Sequence, residues 1–371
     1  MQNLINLEAI RLLEEVEGGA VVRRLFHARN DPFELSNKDF IRLYRVNKRT
    51  AEDISNIVSE YINEQPRRLS ALDINTQVVT ALRFMAFGSY QTDIGYNINS
   101  AVSQPSVSRC IKNVTKALNQ PEVLNRWVKC PSTLEEVKRI RDGFWEKYQF
   151  PGIIGCIDCT HVAIVAPPTH HPLFPEYIYV NRKGYHSINI CDSDMKIIHV
   201  NAKYPGSTHD SYIWNNCNFL PILRQLHNRR RTFYLLGDSG CALRPWLLTP
   251  VMNAEPNSSE DHYNIAHRRI RSLIERTNGL LKMRFRCLLK HRVLHYKPDV
   301  ASRIINSCVV LHNMCIQENV PLLCPEDYDF DFGLDINDNV NENVERNRIN
   351  PELVAGRNLR RLLIQNMFTY I

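Results

Sequence analysis

The chain lacks several features that would assign it to a particular protein class. No run of about 18 consecutive apolar residues occurs among its 371 residues, so we expect no membrane span. The N-terminus, Met1–Asn6, has no basic segment followed by an apolar core, so we do not expect secretion. Internal repeats are also absent.

The cysteines lack the pattern of a disulfide or zinc framework. Their number, 11, is odd, and they are scattered through apparent core segments, which is typical of unpaired thiols in a reducing compartment. Cys156 and Cys159 form a C-x-x-C pair, but no second Cys/His pair follows at zinc spacing. We therefore do not expect a structural zinc.

The bulk composition is that of a folded protein without an extreme charge. Hydrophobic residues make up 44% of the chain and charged residues 23%. The formal net charge of +7 permits a nucleic-acid partner but does not require one.

One apolar stretch, 152–165, contains a single carboxylate near its middle. Small and β-branched residues fill this stretch and prolines bound it, which predicts a buried strand. An unpaired buried carboxylate costs several kcal/mol or more, so Asp158 is expected to bind something positive. The alternative is that Asp158 merely ends the strand or pairs with an arginine.

The first half of the chain has helical patterns. We expect helical character over 1–34 and again over 35–64. Residues 73–119 then form a compact unit, with a helix over 73–87, a break at Gly88, a short helix over 92–97 and a helix with Ser103 as its N-cap.

This unit has the layout of a helix-turn-helix. In that interpretation Arg109 and Lys112 face phosphates, while Gln104 and Ser106 reach base edges. The alternative is a small helical bundle whose exposed face is simply polar.

From residue 151 the pattern changes to strands and helices. We predict strands over 185–191, 195–204 and 232–237. The strand that contains Asp158 and the strands over 185–191 and 195–204 are expected to form an antiparallel meander. A helix begins near Ser207, and a long helix covers 262–289. An acidic segment over 325–345 and a helix over 351–368 complete the chain.

Four acids follow the predicted elements in order, Asp158, Asp210, Asp238 and Glu275. Carboxylates that lie close together stay charged at pH 7 when a cation sits between them, and hard oxygen ligands suit Mg²⁺ or Mn²⁺. Two such ions are the usual device for displacement at phosphorus.

Each of the later acids also has a simpler explanation. Asp210 could close a capping box with Ser207, and Asp238 could be an ordinary turn residue. Glu275 could be a solvated partner of a neighbouring cation, namely Arg271, Arg276 or Lys282. The basic residues of the same helix could track phosphates or form a solvated face.

Five stretches resemble the PIF/Harbinger transposases, and together the likeness extends over about residues 40–320. They are Gly155–Val162, Tyr179–Ser187, Tyr204–Asp210, Leu236–Gly240 and Ile274–Thr277.

The resemblance implies a ribonuclease H-like DDE nuclease domain. It implies divalent-metal ligands at Asp158, Asp210, Asp238 and Glu275, with Asp158, Asp238 and Glu275 as the core triad. It also implies a partner protein with a Myb/SANT-like DNA-binding domain and action in the nucleus. We expect part of the protein in the cytoplasm as well. Relatives look three or four residues longer between His186 and Asp192, and an odd-numbered loss there would flip side chains to the other face of the sheet.

We therefore predict an α+β protein with four parts. A helical segment over 1–34 precedes a helix-turn-helix-like helical domain over 35–150. A DDE domain with a mixed five-stranded sheet covers 151–320, and an acidic tail covers 321–371. The expected function is metal-dependent DNA cleavage, with strand transfer and a homo-oligomer left open. The alternatives are a catalytically inactive DNA-binding adaptor and a protein kept for partner-dependent import or assembly.

Overall fold

The computed structural model describes most of the chain. The described residues are 30–62, 72–165, 188–204, 208, 210–217, 219–228, 233–322 and 350–369. The predicted acidic segment over 325–345, and all of the predicted helix over 1–34 except its last five residues, lie outside them.

Twelve α-helices and five strands occur among these residues. The helices are α1 (Asn37–Tyr44), α2 (Lys48–Tyr61), α3 (Ile74–Phe87), α4 (Gln91–Tyr96), α5 (Gln104–Leu118), α6 (Pro121–Trp127), α7 (Leu134–Tyr148), α8 (Asp210–Asn215), α9 (Leu220–Asn228), α10 (Ser259–Arg284), α11 (Pro298–Gln317) and α12 (Pro351–Phe368). The strands are β1 (Ile153–Cys159), β2 (Ile188–Cys191), β3 (Ile197–Asn201), β4 (Tyr234–Leu236) and β5 (Leu247–Leu248).

The helical pattern of the first half is confirmed. Asp73 caps α3 by accepting a hydrogen bond from the Thr76 amide, and Gly88 ends the helix in the left-handed region with a φ of 62°. A Cβ at Gly88 would stand 2.8 Å from the Cα of Cys287, so both backbone conformation and space favour glycine there. Helix α4 begins at Gln91, one residue before the predicted start.

The sheet has the order β3-β2-β1-β4-β5. Strands β1, β2 and β3 pair antiparallel, which confirms the predicted meander, whereas β4 and β5 add in parallel. The predicted extents were too long: β1 ends at Cys159, and β3 covers Ile197–Asn201 because a turn with Met195 at a φ of 61° precedes it.

The short β2 does not shift its pairing with β1. The ladder holds four consecutive pairs, from Cys156 opposite Cys191 to Cys159 opposite Ile188, without a slip. The irregularity lies instead in the β2–β3 ladder, between Ile190 and Cys191. Whether a loss of residues before β2 has moved its side chains to the other face of the sheet stays a prediction.

One apolar core joins the helices of the first half to α11. Phe40 of α1, Leu82 of α3, Ile111 of α5 and Val309 of α11 belong to the same buried cluster. The side-chain amide of Asn119, just after α5, donates to the Arg303 carbonyl at 2.9 Å and to Ser307 Oγ at 3.0 Å. This cluster contains residues from both sides of the predicted domain boundary at 150, and the boundary itself stays a prediction.

The C-terminal helix α12 packs against α10 and the sheet. Phe368 joins a second core with Phe150 and Tyr263, and Arg360 donates to the Pro250 carbonyl at 2.7 Å. The fold is thus a mixed helix-and-sheet structure, as expected. No helix in the described part of the chain combines the length and apolar character needed to cross a bilayer.

Candidate active site

Asp158 lies near the end of β1, the strand at the centre of the sheet. Its side chain is 16% exposed, and Oδ1 accepts a hydrogen bond from Nη2 of Arg271 at 3.0 Å. Its other oxygen, Oδ2, accepts from Nδ2 of Asn278 at 3.1 Å. The partner in the structure is an arginine, which is the alternative considered from the sequence, and metal binding by Asp158 stays a prediction.

Asp238 follows β4 by two residues. Because β4 runs parallel to β1, with Cys156 opposite Leu236, both strands end at the same edge of the sheet. Oδ2 of Asp238 lies 3.9 Å from Nη2 of Arg271. Oδ1 is buried and has no hydrogen-bond partner among the described residues. This oxygen is therefore available to a positive or hydrogen-bonding ligand.

Glu275 comes from α10, which crosses the same edge. The predicted apolar stripe of this helix, Ile270, Ile274, Thr277 and Leu281, is buried. The neighbouring face presents Glu275, whose Oε1 accepts a hydrogen bond from Nη1 of Arg271 at 2.5 Å. The Glu275 side chain is 42% exposed, so this carboxylate forms the solvent side of the cluster.

Arg271 thus contacts three carboxylates from three different elements. Its own side chain is 17% exposed. A single guanidinium offers one positive charge to three acids, so the cluster retains a formal excess of negative charge. The packing therefore leaves negative charge at this edge of the sheet that a further cation would neutralise.

The electrostatics of Asp158 reflect this crowding. Burial raises the pKa of Asp158 to about 7, and Arg271 opposes that rise. The nearby Asp238 and Glu275 raise the pKa further, whereas the hydrogen bond from Asn278 lowers it. An additional cation near Asp158 would favour the ionised carboxylate and lower its pKa again.

Asp210 is the first residue of α8. Ser207, the N-cap of the capping-box alternative, lies outside the described residues, so that alternative stays open. Its side chain lies outside what the structure describes, and the relation of Asp210 to the three clustered acids stays a prediction.

The four predicted DNA contacts lie on α5, between its first residue, Gln104, and Lys112. Nε2 of Gln104 donates to Oε1 of Gln91 at 2.6 Å, and Ser106 Oγ accepts from Nη2 of Arg109 at 3.0 Å. Arg109 and Lys112 are exposed. The two residues predicted to read bases therefore make contacts within the protein, and the role of all four in DNA binding stays a prediction.

Two members of the site were not identified from the sequence. Arg271 was considered only as a partner of Glu275, and Asn278 was not considered. The signal was present, because residues 271, 275 and 278 are spaced by four and three and so share one face of a helix.

No group of three or more His, Cys, Asp or Glu side chains in the described ranges has the arrangement of a metal-binding site. The guanidinium of Arg271 occupies the position on which the three carboxylates converge. Cys156 of the C-x-x-C pair is buried, and its Sγ donates to the Ile270 carbonyl at 3.5 Å.

Comparison with known proteins gives a consistent family. Residues 157–313 match the family model described as DDE superfamily endonuclease. The human protein named "Putative nuclease HARBI1" is 36% identical over 263 residues, which cover 70% of this chain and 72% of the relative. The Xenopus laevis protein of the same name is 33% identical over 266 residues, covering 71% and 73%.

More distant similarity reaches plants. The Arabidopsis thaliana "Protein ALP1-like" is 24% identical over 315 residues, covering 79% of this chain and 73% of the relative. No solved structure matches the chain. The matched segment contains all four acids singled out above, and the chain belongs to the Harbinger transposase-derived family of DDE superfamily endonucleases.

Proposed function

We propose that the protein is a divalent-metal-dependent nuclease that hydrolyses phosphodiester bonds in DNA, with Asp158, Asp238 and Glu275 as its core acids. One observation carries the proposal: three carboxylates from separate elements converge on one cation, Arg271. A fold that needed these residues only for stability would have little reason to gather them, because repulsion among carboxylates is costly.

The residues fit the metal that the family implies. The donor set consists of hard carboxylate oxygens, which suit Mg²⁺ or Mn²⁺, and the buried Oδ1 of Asp238 lacks a partner among the described residues. Asp158, Asp238 and Glu275 would hold the ions, and Asp210 would add a fourth carboxylate. Bound ions of this kind activate water and stabilise the leaving oxygen in phosphodiester hydrolysis.

The surrounding residues prepare these acids. Asn278 fixes one oxygen of Asp158 and leaves the other directed to the cluster. Arg271 balances part of the negative charge while no metal is bound. Once displaced by metal, its guanidinium would be free to pair with a phosphate, for which its planar set of donors is well suited.

The finer expectations from the resemblance belong to the same proposal. The observed strand order supports a ribonuclease H-like sheet, in which the first strand, the fourth strand and a later helix supply the triad. Helices α3–α5 would act as a helix-turn-helix, with Arg109 and Lys112 on phosphates. Action in the nucleus, with a cytoplasmic pool, beside a Myb/SANT-like partner would complete the function.

A cleavage assay tests the proposal. The natural chain is incubated with duplex DNA and Mg²⁺ or Mn²⁺, beside Asp158→Ala and the matched control Asp53→Ala, whose acid lies exposed on α2. We expect the natural chain and the control to cleave and Asp158→Ala to lose cleavage. Equal product from all three proteins would reject the nuclease.

A second function is favoured by the same arginine. Because Arg271 contacts each of the three acids, the cluster is partly neutralised without any metal. A DNA-binding adaptor that has lost turnover would need such compensation. Metal-independent DNA binding with no cleavage under any condition would support this adaptor.

A further inference from the structure

A cleft of about 580 Å³ lies away from the acid cluster, between the turn that joins α3 to α4 and the segment 291–296. The N-terminal residue of α5, Gln104, completes its wall. This volume is within the range of small-molecule and nucleotide sites in proteins. The cleft thus joins the helical half of the molecule to the segment that follows α10.

Aromatic rings form much of the wall. Tyr90 is 71% exposed, and its ring centroid lies 6.2 Å from that of His295 at an interplanar angle of 53°. Phe84 and Tyr296 pack edge to face deeper in the cleft, with centroids 5.7 Å apart. A ring as exposed as that of Tyr90 contributes little to the core, but it offers a stacking surface to a ligand.

Amide groups line the polar side. Nε2 of Gln91 donates to the Tyr296 hydroxyl at 2.6 Å, and Nε2 of Gln104 donates to Oε1 of Gln91 at 2.6 Å. This chain of hydrogen bonds holds both amides in fixed positions at the wall. Amides of this kind provide donors and acceptors that match the edges of nucleobases.

The charge of the cleft is positive. None of the residues that line it is Asp or Glu, whereas Arg292 is exposed at its rim. An anionic ligand is therefore favoured over a cationic one. Aromatic faces combined with positive charge and fixed amides are typical of sites that bind unstacked nucleotides.

The position of the cleft relates it to the acid cluster. Leu294 in its wall donates its amide hydrogen to the Ala163 carbonyl, and Val165 donates to the Leu294 carbonyl, at 2.9 and 3.0 Å. Because Ala163 follows Asp158 by five residues, the backbone path between them is at most about 18 Å. That length corresponds to about five base-pair steps of DNA.

We infer that this cleft binds a single unstacked nucleotide of a DNA strand, with its base against Tyr90 and its phosphate beside Arg292. The site is separate from the acid cluster, and binding here needs neither metal nor cleavage. An adaptor without turnover would use the cleft in the same way, so the inference does not depend on the nuclease.

Binding in EDTA tests the inference without catalysis. A fluorescein-labelled 20-base-pair duplex with a three-nucleotide single-stranded overhang is titrated with the full chain, with Tyr90→Ala and with Trp145→Ala. Trp145 is the control, because it is a 42% exposed aromatic residue of α7 that lies outside α3–α5 and does not line the cleft. We expect Tyr90→Ala to weaken binding about 5- to 150-fold, the range for alanine substitution at one stacked base, and Trp145→Ala to leave it unchanged.

A second pair of variants tests the phosphate contact. We expect Arg292→Gln to reduce the slope of log K against log salt concentration by about 0.7, the value for one single-strand phosphate contact. The control is Arg357→Gln, at an exposed position of α12, which should leave the slope unchanged.

Photocrosslinking identifies the residues in contact. With 4-thiothymidine in the overhang, we expect crosslinked peptides from residues 84–104 or 291–296. Equal affinities of Tyr90→Ala and Trp145→Ala, or crosslinks only elsewhere in the chain, would overturn the inference. If the cleft binds a protein partner instead, the crosslinks would lie only outside residues 84–104 and 291–296.

Discussion

At the scale of single residues, Arg271 is the cation that neutralises part of the acid cluster in the absence of metal. Its guanidinium contacts Asp158, Asp238 and Glu275, so it stands where a metal ion would have to act. Two opposite effects follow from its removal. The acids lose their neutralising partner, and a cation in solution loses its competitor.

We therefore expect Arg271→Ala to lower the free energy of unfolding by an amount on the order of 2 kcal/mol in EDTA. We also expect it to bind Mn²⁺ about tenfold more tightly, because one competing positive charge is gone. Urea denaturation and calorimetric titration with Mn²⁺ measure the two effects. Arg276→Ala, on an exposed position of the same helix, is the control. The same stability and metal affinity in both variants would contradict this role.

The titration of Asp158 gives a second prediction at this scale. The usual carboxyl pKa is 3.8, and in the folded chain burial raises it to about 7. Between these values the unfolded chain releases its proton while the folded chain keeps it, so unfolding becomes easier as pH rises from about 4 to 7. In EDTA we expect Asp158→Asn to remove this part of the slope.

The measurement is the free energy of unfolding from urea titrations at several pH values. Asp53→Asn, an exposed acid of α2, should keep the slope of the natural chain. A slope in Asp158→Asn equal to that of Asp53→Asn would show that Asp158 titrates near its ordinary value.

At the scale of elements, two helical glycines have opposite surroundings. A Cβ at Gly356 of α12 would lie 2.9 Å from the Arg244 carbonyl carbon, whereas a Cβ at Gly279 of α10 would have no atom within 4 Å. We expect Gly356→Ala to destabilise the protein by about 1–3 kcal/mol through overpacking. Gly279→Ala should stabilise it by about 0.5–1 kcal/mol, because alanine favours helix.

Thermal and urea unfolding of the two variants measure these effects side by side. Each serves as the control for the other, since both exchange glycine for alanine inside a helix. Stabilisation of both variants would contradict the close packing of α12 on the segment that contains Arg244, whereas destabilisation of both would contradict the open space at Gly279.

The elements also show what could be predicted from the sequence. Periodicity located α3 and α5, because each has a wide apolar face that packs into the core. Strand ends were less accurate, because pairing decides them: β1 stops where its β2 partner begins at Ile188. The convergence of Asp158, Asp238 and Glu275 depends on the sheet order, which local patterns do not contain.

The site illustrates the same limit in more detail. The carboxylates could be singled out from buried and strand-terminal positions, but Arg271 could not be assigned to them without knowing which face of α10 meets the sheet. Conversely, Gln104 and Ser106 looked free for DNA when only α5 was considered. The partner of Gln104 is Gln91 of the preceding helix, and the partner of Ser106 is Arg109, three residues further along α5.

At the scale of the whole molecule, the shared core makes the helical half depend on α11. Met314 and Cys308 of α11 are buried in the same cluster as Leu82 and Ile111 of the first half. We expect a fragment of residues 30–128 to lack a cooperative thermal transition, because its apolar faces lose this cover. The full chain should melt cooperatively.

Circular dichroism and differential scanning calorimetry compare the two proteins. A fragment that melts sharply, with the helix content of the same residues in the full chain, would contradict the dependence on α11. In that case the predicted boundary at residue 150 would divide two units that fold independently.

The placement of Arg271 on α10 has a consequence for metal-poor surroundings. A guanidinium carried by the chain itself cannot be washed out, chelated or diluted, so its local concentration near the acids is constant. Without divalent ions, Arg271 would still reduce the repulsion among the three carboxylates, so the strand ends would stay together. In the proposed metal site, binding of an ion would then require only a side-chain rotation of Arg271.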